Sequence, residues 1–147
     1  ISEAFDSVPH DTILRLARKR ELPSPLVRYL TRLYRDSPTI WDDVSVKCRR
    51  GVRQGDPLSP ALFIMATNEV LSYAQPELRF TVNGRCTGEL AYADDLVLFA
   101  NSQTEMADKL EGLDNGLRLT GMELNNSKCR TITILKDGKR KHWILFS

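Results

Sequence analysis

Glu89-Leu90-Ala91-Tyr92-Ala93-Asp94-Asp95-Leu96-Val97-Leu98-Phe99-Ala100 is an apolar, β-favouring run broken by two adjacent carboxylates. Adjacent aspartates repel each other, and burying either one unpaired costs several kcal/mol. A strand–turn–strand with the acids at its tip accounts for the pattern. Apolar strands on either side would then hold Asp94 and Asp95 rigidly. Oxygen ligands of this kind suit Mg²⁺ or Mn²⁺. The same residues also fit a hairpin whose Asp-Asp is simply a polar turn.

Upstream of this stretch, Phe80-Thr81-Val82-Asn83-Gly84-Arg85-Cys86 carries the Asn-Gly signal of a second hairpin. Before it, Asp56-Pro57 reads as a helix start, and Ala61 to Leu71 is apolar nearly all round, which predicts a central, buried helix. Arg49-Arg50-Gly51-Val52-Arg53-Gln54-Gly55 leads into that helix. A basic loop whose glycines admit close backbone approach suits a phosphate or a nucleotide edge, or is merely a capped loop. Downstream, Ser102 lies three residues before Glu105 as in a capping box. Met106, Leu110, Leu113 and Leu117 then mark a helix that ends near Gly121.

At the amino end, residues 1–6 read as the end of a strand. Val8-Pro9-His10-Asp11 starts a helix with Ile13, Leu14, Leu16 and Ala17 on one face and Arg15, Arg18, Lys19 and Arg20 outward. Ser24-Pro25 reads as an N-cap and first position of the next helix, with Leu26, Val27, Leu30, Leu33 and Tyr34 inward. Arg28, Arg32 and Arg35 lie on one line of it, which fits a phosphate backbone or an ordinary solvated face. A strand or hairpin follows over 39–48, with Asp42-Asp43 near its bend. At the carboxyl end, Thr131-Ile132-Thr133-Ile134 is a strand, and Asp137-Gly138 turns into a last strand from His142 to Phe146. The expected fold class is α+β, with helices packed on one face of an antiparallel sheet.

The 147 residues are 41% hydrophobic and 27% charged, enough for one domain with a real core. No apolar run approaches the about 20 residues of a membrane span, so no membrane partner is expected. Cys48, Cys86 and Cys129 have no metal-ligand spacing, which fits free thiols in an intracellular, reducing compartment. The net charge of +2 hides a polarity: residues 56–127 are acidic, and both flanking segments are basic. An acidic centre between basic arms suits a metal site within a polyanion-binding surface.

Four blocks occur in a telling order: Ala4-Phe5-Asp6-Ser7-Val8-Pro9-His10, the 51–60 loop with its Gly51-Val52-Arg53-Gln54-Gly55 start, Tyr92-Ala93-Asp94-Asp95, and Gly121-Met122-Glu123-Leu124-Asn125-Asn126-Ser127-Lys128. Together they resemble blocks A to D of a reverse transcriptase. The wording is most similar to non-LTR retrotransposons of the site-specific class that inserts into ribosomal RNA genes.

That resemblance implies a palm with part of the fingers, truncated at both ends, filling residues 1–147. It implies an RNA-directed DNA polymerase using RNA template, DNA primer and dNTPs. The parent protein would perform target-primed reverse transcription in the nucleus with two Mg²⁺ ions, or Mn²⁺. Asp94 and Asp95 would be the metal-binding carboxylates. Arg53, Gln54 and Gly55 would lie along the nascent base pair and template, and Phe5 would be the gate against a ribose 2′-hydroxyl. Lys128 would sit near the triphosphate and protonate the leaving pyrophosphate. Phe5 as plain core and Lys128 as a solvated loop lysine stand beside these roles. The family's first block A aspartate is expected one position before Ile1, so the 147 residues alone are expected to be inactive. An RNA-directed RNA polymerase palm, or a non-catalytic RNA-binding remnant of a decayed element, are the alternatives.

Overall fold

The computed structural model describes residues 4–36, 39–41, 44–82, 84–92, 95–134 and 140–143. In chain order the helices are α1 (Ala4–Ser7), α2 (His10–Lys19), α3 (Ser24–Thr31), α4 (Ser59–Leu71) and α5 (Gln103–Thr120). The strands are β1 (Thr39–Trp41), β2 (Val44–Val46), β3 (Phe80–Val82), β4 (Arg85–Thr87), β5 (Glu89–Tyr92), β6 (Asp95–Leu98), β7 (Thr131–Ile134) and β8 (Arg140–Trp143). The composition is α+β, as expected. No described helix is long and apolar enough to cross a membrane.

The layering differs from the expectation. Among the described residues the strands form four separate two-stranded antiparallel sheets, β1-β2, β3-β4, β5-β6 and β7-β8, rather than one sheet backed by helices. The core is accordingly helical. Ile13, Leu14, Leu16 and Ala17 of α2, Leu30 of α3, Leu62, Phe63, Ala66 and Val70 of α4, and Leu113 and Leu117 of α5 are buried together. Every strand here is three or four residues long. Such short hairpins bury little and need a helical layer for support.

The amino end also differs. Residues 4–7 form a single helical turn instead of a strand end, because Ala, Asp and Ser have little strand preference. The α2 start at His10 after an extended Pro9 follows the sequence reading. At α3 the cap shifts by one: Pro23 is the N-cap, its carbonyl accepting the Leu26 and Val27 amides at 2.8 and 3.1 Å, and no side chain caps the helix. Past Thr31 the helix widens into a π-turn over Arg32–Asp36. The wider turn rotates Arg35 off the straight line expected with Arg28 and Arg32. Arg35 instead pairs with Asp11 at 3.1 Å.

Helix α4 starts at Ser59-Pro60, not Asp56-Pro57. Asp56 closes the turn before it, its carboxylate accepting the Leu58 amide at 2.8 Å. As expected, α4 is central and buried, although Ile64 is exposed. Its buried Glu69 carboxylate receives Lys19 at 2.6 Å, with Arg15 and Arg20 at 3.8 Å. Three cations of the basic α2 face are thus turned onto one acid of α4.

Helix α5 begins and ends as the sequence dictates. Ser102 Oγ accepts the Glu105 amide at 3.1 Å, and the Glu105 carboxylate reaches back to the Asn101 amide at 2.9 Å, one residue before the N-cap. Gly121 ends the helix with φ +71°. Gly84 at φ +74° suits the expected tight turn, whose Asn83 lies outside the described residues. The 137–138 turn and residues 144–146 of the last expected strand also lie outside them. Cys48, Cys86 and Cys129 form no disulfide.

Candidate functional site

The first and second sequence blocks are stitched together by backbone. The Val52 amide donates to the Phe5 carbonyl at 2.7 Å, Gly51 to Val8 at 2.8 Å, and His10 to Arg49 at 3.0 Å. Gly51 makes this possible: its φ is +93°, and a Cβ there would lie 3.2 Å from the Asp6 Cα. Phe5 is thereby placed one residue pair from Arg53. Its ring is half-buried and packs on Phe63 of α4 with centroids 4.8 Å apart.

Arg50 ties in the fourth block. Its guanidinium donates to the Gly121 carbonyl at 2.8 Å and to the Ser7 carbonyl at 3.4 Å. Nearby, the Thr12 hydroxyl donates to the Thr120 carbonyl at 2.9 Å. Sequence reasoning grouped Arg50 with the loop's ligand-facing cations. The structure gives it a fastening role across three segments, and no sequence signal separates it from Arg49.

Beside this junction lie two adjoining clefts of about 520 and 320 Å³ that share His10 and Cys48. Arg35, Lys47 and Arg49 line the first, and Arg50, Arg53 and Gln54 the second. Lys47 and Arg49 are exposed and form no ion pair among the described residues. The His10 ring braces the walls, with Nδ1 3.2 Å from the Tyr34 carbonyl and Nε2 3.0 Å from the Gly51 carbonyl. A neutral imidazole donates to only one of them at a time. Burial pushes the Tyr34 phenol above its ordinary range. Its hydroxyl is near Ser59 and the Arg53 backbone, yet no described group meets it at hydrogen-bonding geometry. Tyr29 is also shifted upward, because its hydroxyl donates to Asp56 at 3.1 Å.

Gly55, the last of the loop residues singled out, has φ +86° and nothing within 4 Å of where a Cβ would be. Gln54 and Arg53 are exposed beside it. This leaves an open, side-chain-free backbone surface at the start of the turn into α4.

The β5-β6 hairpin has the expected form. Tyr92 pairs with Asp95, and Asp95 opens β6. Ala93 and Asp94 lie outside the described residues. The Asp95 carboxylate is exposed and has no ion pair or hydrogen bond with another described side chain. An exposed carboxylate is the oxygen donor a hard cation takes. Among the described residues no group of three or more His, Cys, Asp or Glu side chains is gathered to hold a metal. Leu96 and Leu98 pack against the helical core, whereas Leu90, Tyr92 and Val97 are exposed.

Lys128 ends a short 3₁₀ turn, its amide donating to Asn125 at 3.0 Å and its side chain exposed. No described contact joins it to the hairpin or to the 51–55 loop. The structure therefore brings Phe5, Arg53, Gln54 and Gly55 together on one junction, with Asp95 on a separate hairpin.

Comparison with known proteins matches residues 1–143 to the family described as reverse transcriptase (RNA-dependent DNA polymerase). The chain is 38% identical over 146 residues to the Retrovirus-related Pol polyprotein from type-1 retrotransposable element R2 of Nasonia vitripennis, covering 96% of this chain and 14% of that protein. It is 34% identical over 150 residues to the Retrovirus-related Pol polyprotein from type-2 retrotransposable element R2DM of Drosophila melanogaster, covering 99% and 14%. A type-1 R2 polyprotein of Popillia japonica is 33% identical over 146 residues, covering 94% and 20%. The chain thus spans between 14% and 20% of the length of these relatives.

Proposed function

As the chain belongs to the reverse transcriptase (RNA-dependent DNA polymerase) family, we propose that it forms the palm and part of the fingers of an R2-type polyprotein that copies RNA into DNA. The polyprotein would use a nicked chromosomal 3′-end as primer and act in the nucleus. The observation that carries this reading is the pairing of Tyr92 with Asp95, which puts Asp95 at the closed end of the hairpin with its side chain exposed.

In this proposal Asp94 and Asp95 hold Mg²⁺, or Mn²⁺ in its place. The ions supply neutralisation of charge on the reacting phosphates and a more acidic primer hydroxyl. The chain's own residues do the rest. Arg53 and Gln54 bear on the nascent base pair and template, with the open backbone at Gly55 letting them approach closely. Phe5, fixed through its own carbonyl to Val52 and through its ring to Phe63, fills the volume a ribose 2′-hydroxyl would need. Lys128 supplies a proton to the leaving pyrophosphate from its exposed turn.

The test is made in the polyprotein. Asp95→Asn and Asp94→Asn each keep the side-chain shape and remove the charge, and each is expected to lower template-dependent dNTP incorporation by about 100-fold or more with unfolding unchanged. Near-normal incorporation by either variant removes that residue from the metal site.

A further inference from the structure

Lys109 lies on α5, outside the four sequence blocks, and is 0% exposed. Its ammonium donates to the Gly88 carbonyl at 3.1 Å and forms no ion pair among the described residues. The same oxygen accepts the Phe99 amide at 2.9 Å. Gly88 directly precedes β5, and Phe99 directly follows β6. One carbonyl therefore closes the open end of the β5-β6 hairpin and fastens it to α5.

Gly88 is buried, and its φ is not left-handed, so an added methyl would meet no backbone strain there. It would press on the ammonium: a Cβ at Gly88 would lie 3.1 Å from Lys109 Nζ, and an ordinary 3.5 Å from the Leu78 carbonyl. Burying an ammonium is costly, and a single hydrogen bond from it offsets only part of that cost. An apolar residue of similar length would fill the volume without that cost. What it would lack is a directional bond to the hairpin.

We propose that Lys109 is a positioning residue that clamps the base of the β5-β6 hairpin to α5 and so fixes where Asp95 rests at its other end. This role rests on the polymerase reading of the hairpin. The two strands are four residues each, so at about 3.4 Å per residue the tip lies about 10–13 Å from the clamp. A tilt of about 5° at the base then moves the tip by about 1 Å, and misplacement of that size costs about 100-fold in rate.

Two variants test the clamp from opposite sides. Lys109→Met removes the ammonium and keeps the stem, and Gly88→Ala crowds the ammonium while keeping Lys109. Hydrogen exchange on this chain is expected to show the Phe99 amide and the hairpin amides exchanging about tenfold faster in both variants, with α4 and α5 unchanged. Unaltered hairpin exchange, or faster exchange spread evenly through α4 and α5, overturns the clamp. In the polyprotein both variants are expected to lower kcat at least about tenfold while the KM for dNTP stays within about twofold. Faster hairpin exchange with an unchanged kcat overturns the positioning role. If the unaltered polyprotein does not polymerise, the polymerase reading fails, and the exchange result still judges the clamp.

Discussion

Phe5 does two jobs that ordinarily belong to different residues. Its ring packs on Phe63, as a core aromatic would, and its carbonyl anchors the 51–55 loop. In the proposed site the part of the ring left exposed would meet the substrate. A DNA polymerase needs such bulk to reject a 2′-hydroxyl, and an RNA-directed RNA polymerase would be obstructed by it. Phe5→Ala in the polyprotein is expected to raise rNTP relative to dNTP incorporation by about tenfold or more. Single-nucleotide extension with each substrate measures this, and an unchanged ratio returns Phe5 to the core. The backbone anchor at Val52 does not depend on the ring, so the loop itself should survive the substitution.

At the scale of elements, the seam between α4 and α5 is set by two glycines. A Cβ at Gly112 would stand 2.0 Å from the Tyr73 carbonyl, and one at Gly116 would stand 2.6 Å from the Val70 carbonyl. The helices approach too closely there for any side chain. Gly→Ala normally gains about 1 kcal/mol in a helix interior, but overpacking costs about 1–3 kcal/mol and here meets rigid backbone. Gly112→Ala and Gly116→Ala are each expected to lower unfolding stability by about 2 kcal/mol, read as a lower urea midpoint at unchanged slope. A gain in stability at either position would show that the seam can open.

The same elements show what the sequence made legible. Ser102, Glu105 and Gly121 bound α5 because caps are local interactions, settled within a few residues. The β5-β6 pairing was legible for the same reason, since alternating apolar residues around a short polar turn leave few registers. The arrangement of the sheets was not legible, because whether Ile132 or Leu90 meets another strand depends on partners far along the chain. Lys109 and Glu69 escaped notice on similar grounds. Each is a charged residue with no partner nearby in sequence, and only the tertiary approach of Gly88 or of Lys19 shows what meets it. In the candidate site, Asp94 and Asp95 stand out as adjacent acids in an apolar run, and Arg53, Gln54 and Gly55 as part of a basic, glycine-bearing loop; the family resemblance supplies their roles. The fastening role of Arg50 shows only in the fold.

Across the whole molecule, the basic amino-terminal third is less available to a polyanion than its composition implies. Arg15, Lys19 and Arg20 face Glu69, Arg35 holds Asp11, and Arg50 holds carbonyls. Lys47 and Arg49 remain on the cleft wall that continues to Arg53 and Gln54. Single-stranded RNA running along that wall would displace counterions mainly there. Exchanging both for Gln is expected to reduce the slope of log K against log salt by about 1.4, at about 0.7 per phosphate contact. Fluorescence anisotropy with single-stranded RNA over a salt series measures it, and an unchanged slope places the RNA elsewhere.

The division into four two-stranded sheets has a consequence for handling the isolated chain. Each described strand has a neighbour on one side only, so its other edge presents unpaired amides and carbonyls. Several of these edges carry bare Leu90, Tyr92, Val97, Ile132 or Ile134. Concentrating the chain is therefore expected to favour edge-to-edge addition between molecules, read as light scattering that rises with concentration while the helical signal is unchanged.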